Sequence, residues 1–366
     1  MRKSVKRGII ALSAAIGILL ITVAAYVLYV FCQYYRIEDY VGQQVNGNRS
    51  ENVAVGETYT VMTYNVGFGA YGPDFSFFMD SGVMNNGKKV TGKYGKAISK
   101  DSVLTNIEGS ARAVESADCD FVFLQEVDSD GSRSYHVDER EPFADIEGYS
   151  SVYTVNFHTA YLFWPLGDPH GKNTSGLMSL SKYGISSAVR RSYPVSTSFA
   201  KFFDLDRCFT VMYLPVIGSE KQLVLINSHM SAYDKGGTIR VKQLEMLNET
   251  IAQERDKGNY VLVGGDFNHD IAASGTLFPS EQEFPEWVCT LTDDDLADGF
   301  RFAAAVNAPT CRAAEIPYEK GVNYTVVVDG FIVSDNIEVV SVENTDLDFQ
   351  YSDHNLAVMK FKLKNI

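Results

Sequence analysis

The sequence predicts an α/β fold whose sheets are buried on both faces, set behind one membrane-spanning helix. Three observations carry that prediction. Gly8 to Phe31 is an uncharged apolar run of 24 residues. Beyond it, short apolar runs of strand type outnumber two clear amphipathic helices. Several of those runs are continuously apolar rather than alternating, as strands covered from both sides are. The chain has 366 residues, 45% hydrophobic and 21% charged, which excludes a collagen-like, low-complexity or wholly disordered protein. No internal repeat of roughly 20–50 residues is visible, which argues against a solenoid or propeller.

The elements follow in chain order. Arg2, Lys3, Lys6 and Arg7 precede the apolar run, and no charge lies inside it. About 20 such residues suffice to cross the hydrocarbon core. The positive-inside rule then makes residues 1–7 a cytoplasmic tail, 8–31 a transmembrane anchor, 32–57 a polar stalk and 58–366 an extracytoplasmic body. Tyr26, Tyr29, Tyr34 and Tyr35 cluster at the exit as an aromatic belt would. A cleaved signal peptide would have an apolar core of about 7–15 residues and a small-x-small site. Tyr29-Val30-Phe31 offers no such site.

In the body, strands are expected at Tyr59–Asn65, Phe121–Glu126, Ser150–Val155, Gly176–Leu180, Cys208–Leu214, Leu223–Ser228, Tyr260–Asp266, Tyr324–Ser334, Glu338–Val342 and Leu356–Leu363. Helical spacing of Val103, Leu104, Ile107, Ala111 and Val114 predicts a helix over Asp101–Ala117. Leu244, Leu247 and Ile251 predict a second over Thr238–Arg255. Among the five cysteines no C-x-x-C pair exists, which excludes a zinc ribbon or thioredoxin motif. Cys289 and Cys311 are the one plausible disulfide pair, with free cysteines as the alternative.

Net charge is −14, and five of the 32 basic residues precede the first acid, Glu38. So acidic a body argues against tight, charge-driven binding to nucleic acid, although a small basic cleft stays compatible with it.

Five apolar strands border polar residues that a core would not choose. Val61-Met62-Thr63-Tyr64 ends in Asn65, and Phe121-Val122-Phe123-Leu124 ends in Gln125-Glu126. Leu223-Val224-Leu225-Ile226 leads to Asn227-Ser228-His229, and Val261-Leu262-Val263-Gly264-Gly265 to Asp266-Phe267-Asn268. Tyr351-Ser352-Asp353-His354 precedes the last strand. Any one of these is most simply a turn or cap. Together they set carboxylates, amides and imidazoles at strand ends, where α/β folds build sites. Oxygen ligands without a Cys/His cluster suit Mg²⁺ or Mn²⁺ rather than Zn²⁺, and histidines beside them suit phosphoryl chemistry.

The motifs TYN, LQEVD, NSHM, GGDFN, DGFIVSD and SDHNLAV, in this order, resemble those of the endonuclease/exonuclease/phosphatase superfamily, over roughly residues 58–363. The resemblance implies a four-layered α/β sandwich, two packed mixed sheets flanked by helices. It implies that Glu126 is the principal Mg²⁺ ligand, with Asn65 and Asp353 beside it. Asp266 would orient or deprotonate the attacking water, Asn268 and His354 would hold the phosphate, and Asp329 would fix the tautomer of His354. His229 matches the second histidine of the deoxyribonuclease and sphingomyelinase branches, and Arg207 is a further phosphate candidate.

Three stretches depart from the common pattern or line its rim. Residues 67–99 are rich in glycine and aromatics, with Phe68, Tyr71, Phe75, Phe77 and Phe78, and read as a loop packed on the body or as a membrane-facing lip. Ser132–His136 offers Arg133 to a phosphate. Trp164–Asn173 has the composition of a substrate rim. The expected activity is Mg²⁺-dependent hydrolysis of a phosphoester by a membrane-anchored monomer. A nucleic-acid phosphodiester is the first substrate, a phospholipid or small phosphoester the second. The third alternative is a surface binding protein that has lost the chemistry.

Overall fold

The computed structural model describes residues 2–202, 205–232 and 238–365. Two seven-stranded mixed sheets pack face to face. One runs in the order Val41–Gly42, Ser187–Ser192, Cys208–Pro215, Gln222–His229, Tyr260–Asp266, Asp329–Ser334, Phe300–Ala303. The other runs Ile337–Thr345, Leu356–Leu363, Thr58–Asn65, Phe121–Gly131, Asn173–Ser181, Ser150–His158, Val45–Asn46. Each sheet has one parallel pair at its centre: Gln222–His229 with Tyr260–Asp266, and Thr58–Asn65 with Phe121–Gly131. Parallel pairing brings the carboxyl ends of those strands to the same edge.

The continuous apolar runs have the predicted cause. Their inward side chains, among them Val61, Phe121, Phe123, Leu225, Leu262, Phe331, Met359 and Phe361, form the core between the sheets. Their outward ones are covered as well. On one side Val103, Ile107 and Val114 of the helix Lys100–Ala117 pack on Met62, Val122 and Leu124. On the other, Leu247 and Ile251 of the helix Thr238–Asp256 pack on Val224, Ile226 and Val261. The result is the four-layered sandwich. The first helix starts at Ser99, whose Oγ accepts from the Ser102 amide at 3.0 Å, a cap worth roughly 1 kcal/mol.

Three expectations change, and two pairs of alternatives, for the aromatic insertion and for Cys289 with Cys311, resolve to one reading each. The stalk is not a free tether: Val41–Gly42 and Val45–Asn46 add an edge strand to each sheet, and Val53 is fully buried. Tyr324–Ser334 divides into Thr325–Val326 and Asp329–Ser334, which belong to different sheets. The aromatic insertion is core: Phe68, Tyr71, Phe75 and Phe77 are buried against the outer face of the second sheet and its helix, so they form no lip. Cys289 and Cys311 are both free, one exposed and one buried, and no disulfide joins them. Ser187–Ser192, second from one edge, and Phe300–Ala303, at the other edge, are strands that pattern alone missed, because serines and arginines interrupt their apolar residues.

The helix Arg2–Gln33 precedes the sandwich. From Val5 to Gln33 it is long and apolar enough to cross a membrane, with a mean hydropathy of 2.5. Its last turns do not stand clear of the body. Val30 is buried against Ala160 and Phe202, with Tyr26 and Tyr34 packed around them.

Candidate active site

The site is assembled by two local devices. In Phe121–Gly131 a β-bulge shifts the register between Leu124 and Val127, and Glu126 takes a left-handed backbone, φ +56°. The bulge turns two neighbours in different directions. Gln125 enters the sheet interface and donates to Asn227 Oδ1 at 2.8 Å, while Glu126 stays part-exposed. The second device is Gly264-Gly265. A Cβ on Gly265 would lie 1.9 Å from the Ser228 carbonyl oxygen, and one on Gly264 would lie 2.7 Å from the Phe123 ring. Only glycine lets Asp266 come level with His229 on the neighbouring parallel strand, where the two are register partners.

Around Asp266 the groups converge. Asn65 Nδ2 donates to Asp266 Oδ2 at 3.0 Å and lies 3.3 Å from Glu126 Oε1. His229 Nε2 is 3.4 Å from Asp266 Oδ2 and 3.8 Å from Glu126 Oε1. His354 Nε2 approaches the same Asp266 oxygen at 3.7 Å, while its Nδ1 pairs with Asp329 Oδ2 at 2.8 Å. Asp266 Oδ1 accepts from the Asn268 amide at 2.8 Å, and the Asn268 side chain donates to the Met230 carbonyl. Asn268 also has a left-handed backbone, φ +52°. Asp353 joins through Gly67, where a Cβ would stand 2.9 Å from its Oδ1, and through Ser352, which donates to the Asn65 carbonyl.

Electrostatics divide the two histidines. Burial, with Arg207 and His354 nearby, pushes His229 well below its ordinary pKa, so it is neutral at pH 7. Burial also works against a charged His354. Asp329, with Cys311 and Asp266 behind it, outweighs that and holds His354 well above its ordinary pKa, so it is a cation. Burial raises Asp266 and Asp353 to about 6, against the pull of His354 on both and of Arg312 on Asp353.

The carboxylates of Glu126 and Asp353, close enough to act on one another, offer oxygen donors without a Cys/His set, which fits a hard divalent metal ion. Glu126 and Asp353 would hold it; the expected third ligand, Asn65, turns Nδ2 rather than its oxygen toward Glu126, because its Oδ1 accepts from the Gly67 amide at 2.9 Å. A separate set of ligating atoms, on Asp266, Asp329 and His354, lies mutually within 4.8 Å.

The predicted phosphate contacts fare differently. Arg207 is 3% exposed, and its Nε and Nη1 have no hydrogen-bond partner, so a buried cation faces the His229 side of the site with donors to spare. Arg133 is spent within the fold. It pairs with Asp128 through Nε at 3.0 Å and Nη2 at 2.7 Å, and it stacks 3.7 Å from the Phe68 ring centroid. Asn173 is also internal: its Oδ1 accepts from the Arg133 amide and its Nδ2 donates to the His170 carbonyl. Both side chains thus satisfy partners inside the fold. Replacing Arg133 by Leu strands the Asp128 carboxylate and should cost about 3–5 kcal/mol. Chemical denaturation measures that loss; a stability change under about 1 kcal/mol contradicts the pairing.

Sequence reading missed Arg312. It is buried beside Asp353, donating its amide to the Asp353 carbonyl and Nη2 to the Tyr71 and Gly72 carbonyls. It thereby ties the aromatic insertion to Asp353. A lone Arg in a strand of two residues, Cys311–Arg312, carries no signal that could have found it.

The family model for endonuclease/exonuclease/phosphatase proteins matches residues 62–354. The chain belongs to that family. No curated protein matches it significantly. Among solved structures, ANGEL2, a 2',3'-cyclic phosphatase in complex with adenosine-2',3'-vanadate, superposes with a TM-score of 0.54 at 15% identity, over 89% of this chain and 99% of that one. A family protein from Leptotrichia buccalis gives 0.53 at 14% identity, over 83% and 100%. One from Bacteroides vulgatus gives 0.51 at 15% identity, over 84% and 100%. At these identities the structures share the fold. Members of the family are phosphoester hydrolases.

Proposed function

We propose that the chain is a Mg²⁺-dependent phosphoester hydrolase that acts outside the membrane its N-terminal helix crosses. The observation that carries this is the convergence of both histidines and Asn65 on one buried carboxylate, Asp266, beside Glu126. A bound metal ion would polarise a phosphoryl oxygen. Asp266 is placed to orient and deprotonate water, since it accepts from Asn65 and Asn268 and its raised pKa makes it a better base than an ordinary carboxylate. Asp329 locks His354 with Nε2 toward the cleft, where the cation can neutralise phosphoryl charge or protonate the leaving oxygen. Neutral His229 and the unpaired donors of Arg207 border the same space and suit a non-bridging oxygen.

The positive-inside rule supports residues 1–7 in the cytoplasm and residues 58–366 outside. Packing of Val30 against Phe202 and Ala160 supports an anchor that is retained, because its removal would bare that apolar contact. Protease added to intact cells should digest the body, and protection of the body until lysis would reverse the topology. Nucleic acid, the first substrate expected from the family motifs, is disfavoured by the net charge of −14. The test of the chemistry is product release from bis(4-nitrophenyl) phosphate, plasmid DNA and a phospholipid, each with Mg²⁺ and with EDTA. Turnover that persists in EDTA removes the metal from the reading, and no turnover of any phosphoester removes the hydrolase.

A further inference from the structure

The loop 159–172 joins the strands Ser150–His158 and Asn173–Ser181. Its first half is hydrogen-bonded to the end of the N-terminal helix. Tyr26 Oη donates to the Tyr161 carbonyl at 3.1 Å, and the Tyr161 amide donates to Tyr29 Oη at 3.1 Å. The Tyr26 ring meets Phe163 edge-on at 5.1 Å, and the Phe31 ring lies 4.5 Å from that of Phe202, between the strands Ser187–Ser192 and Cys208–Pro215. At 1.5 Å per residue, Tyr26 and Tyr29 stand about 27 and 32 Å along the helix from Gly8. The hydrocarbon core is about 30 Å thick. Tyr161 is therefore held at the level where the helix leaves the hydrocarbon.

The residues that follow are apolar and open. Phe163 is 55% exposed, Trp164 63% and Leu166 80%. The loop is braced from behind, so this is no loose tip. Asp168 Oδ2 accepts from the Gly95 amide at 2.9 Å, and His170 Nδ1 contacts the Gly95 carbonyl at 2.6 Å among Phe68, Phe77 and Phe157.

The same end of the sandwich carries the candidate site. Gly131, which ends the strand bearing Glu126, pairs with Asn173, and His158 pairs with Thr174, so the loop springs from the catalytic edge of its sheet. On the other sheet, Asp206 takes the Arg36 Nε at 2.8 Å and the Ile37 amide at 2.9 Å, just beyond the helix. The next residue is Arg207, the buried cation beside His229.

From this placement we infer that Phe163, Trp164 and Leu166 form a foot that enters the bilayer interface beside the anchor and seats the sandwich catalytic end down, so that the cleft takes its phosphoester from the membrane surface, as the head group of a lipid. The occupant is the bilayer because the foot continues the surface of the helix that crosses it, at the depth where aromatic side chains partition. The inference rests on the phosphoesterase reading for its substrate and on the anchored reading for its depth. The seating itself does not depend on catalysis.

The chain has two tryptophans, so Trp287→Phe leaves Trp164 as the sole reporter. The full chain carrying that change is reconstituted in vesicles of phosphatidylcholine and phosphatidylglycerol. Lipids brominated high on the acyl chain should quench Trp164 by roughly twofold, and aqueous iodide should quench it little. Quenching by iodide with none from bromolipid overturns the foot, as does protection from both, which would put a second protein surface over the loop. The substrate is tested separately with unmodified chain in the same vesicles. Release of a labelled lipid head group alongside hydrolysis of bis(4-nitrophenyl) phosphate supports a lipid phosphoester. Hydrolysis of the soluble diester or of plasmid DNA with vesicle lipid untouched overturns it. If none is turned over in Mg²⁺, it is the hydrolase reading that fails, and the quenching result judges the foot alone.

Discussion

Glu126→Gln is expected to lower turnover by on the order of 10²–10⁴-fold and to raise the Mg²⁺ concentration needed for the remainder. Glutamine keeps the volume and can still face Asn65 Nδ2, 3.3 Å from the native oxygen. It removes a charge from the part-exposed side of the carboxylate set. Glu126 is held in a left-handed backbone by its β-bulge, a conformation that costs of order 1–3 kcal/mol, and the fold bears that cost to present this side chain to the cleft. The checks are a Mg²⁺ titration of turnover on bis(4-nitrophenyl) phosphate and the unfolding temperature. A variant that unfolds as the native chain does and turns over at the native rate removes Glu126 from the metal.

Asp329→Asn should also cost on the order of 10²–10⁴-fold in kcat, with KM changed little. Asp329 is fully buried, and its Oδ2 sits 2.8 Å from His354 Nδ1. Asparagine can keep a hydrogen bond there but supplies no counter-charge. Burial then prevails, and the His354 pKa falls. The sign follows directly. A raised pKa keeps the imidazolium present through neutral pH and loses it only as pH rises through that value. With the pKa lowered, the cation is lost at lower pH, so the alkaline limb of kcat moves toward acid. An unchanged limb with a lowered kcat would mean that Asp329 acts only through packing.

Fold and site were legible to different depths. The central strands read correctly because burial on both faces leaves continuous apolar runs, and Tyr260–Asp266 and Leu356–Leu363 have the predicted bounds. The two helices read correctly because one face of each meets a sheet and the other meets water. Edge segments did not. Val41–Gly42 and Val45–Asn46 are two residues each, too short for any period, and only the exposed rims of the sheets explain why they pair.

By itself the sequence determined most of the side chains that stand at strand ends, since a run of apolar residues that breaks into Asn65, His229 or Asp266 marks where a strand ends; Glu126 read the same way, but its strand runs on through a bulge to Gly131. It also determined the apolar helix, which depends only on consecutive residues. What lies across space was decided by the tertiary structure. Asn65 and Asp266 are 201 residues apart and touch because two sheets stack with their parallel pairs aligned. Arg133 read as a phosphate contact and Phe68 as part of a separate insertion, yet they stack on each other inside the fold, because the Asp128 carboxylate and the outer sheet face offered partners that linear order does not show. Trp164 and Leu166 read as a substrate rim from composition, and only the docking of Tyr26 and Tyr29 on Tyr161 ties their loop to the N-terminal helix. Local composition governs whether a segment is buried; which surface buries it is a long-range choice, made by whichever contact removes the most apolar area while leaving no polar group unpaired.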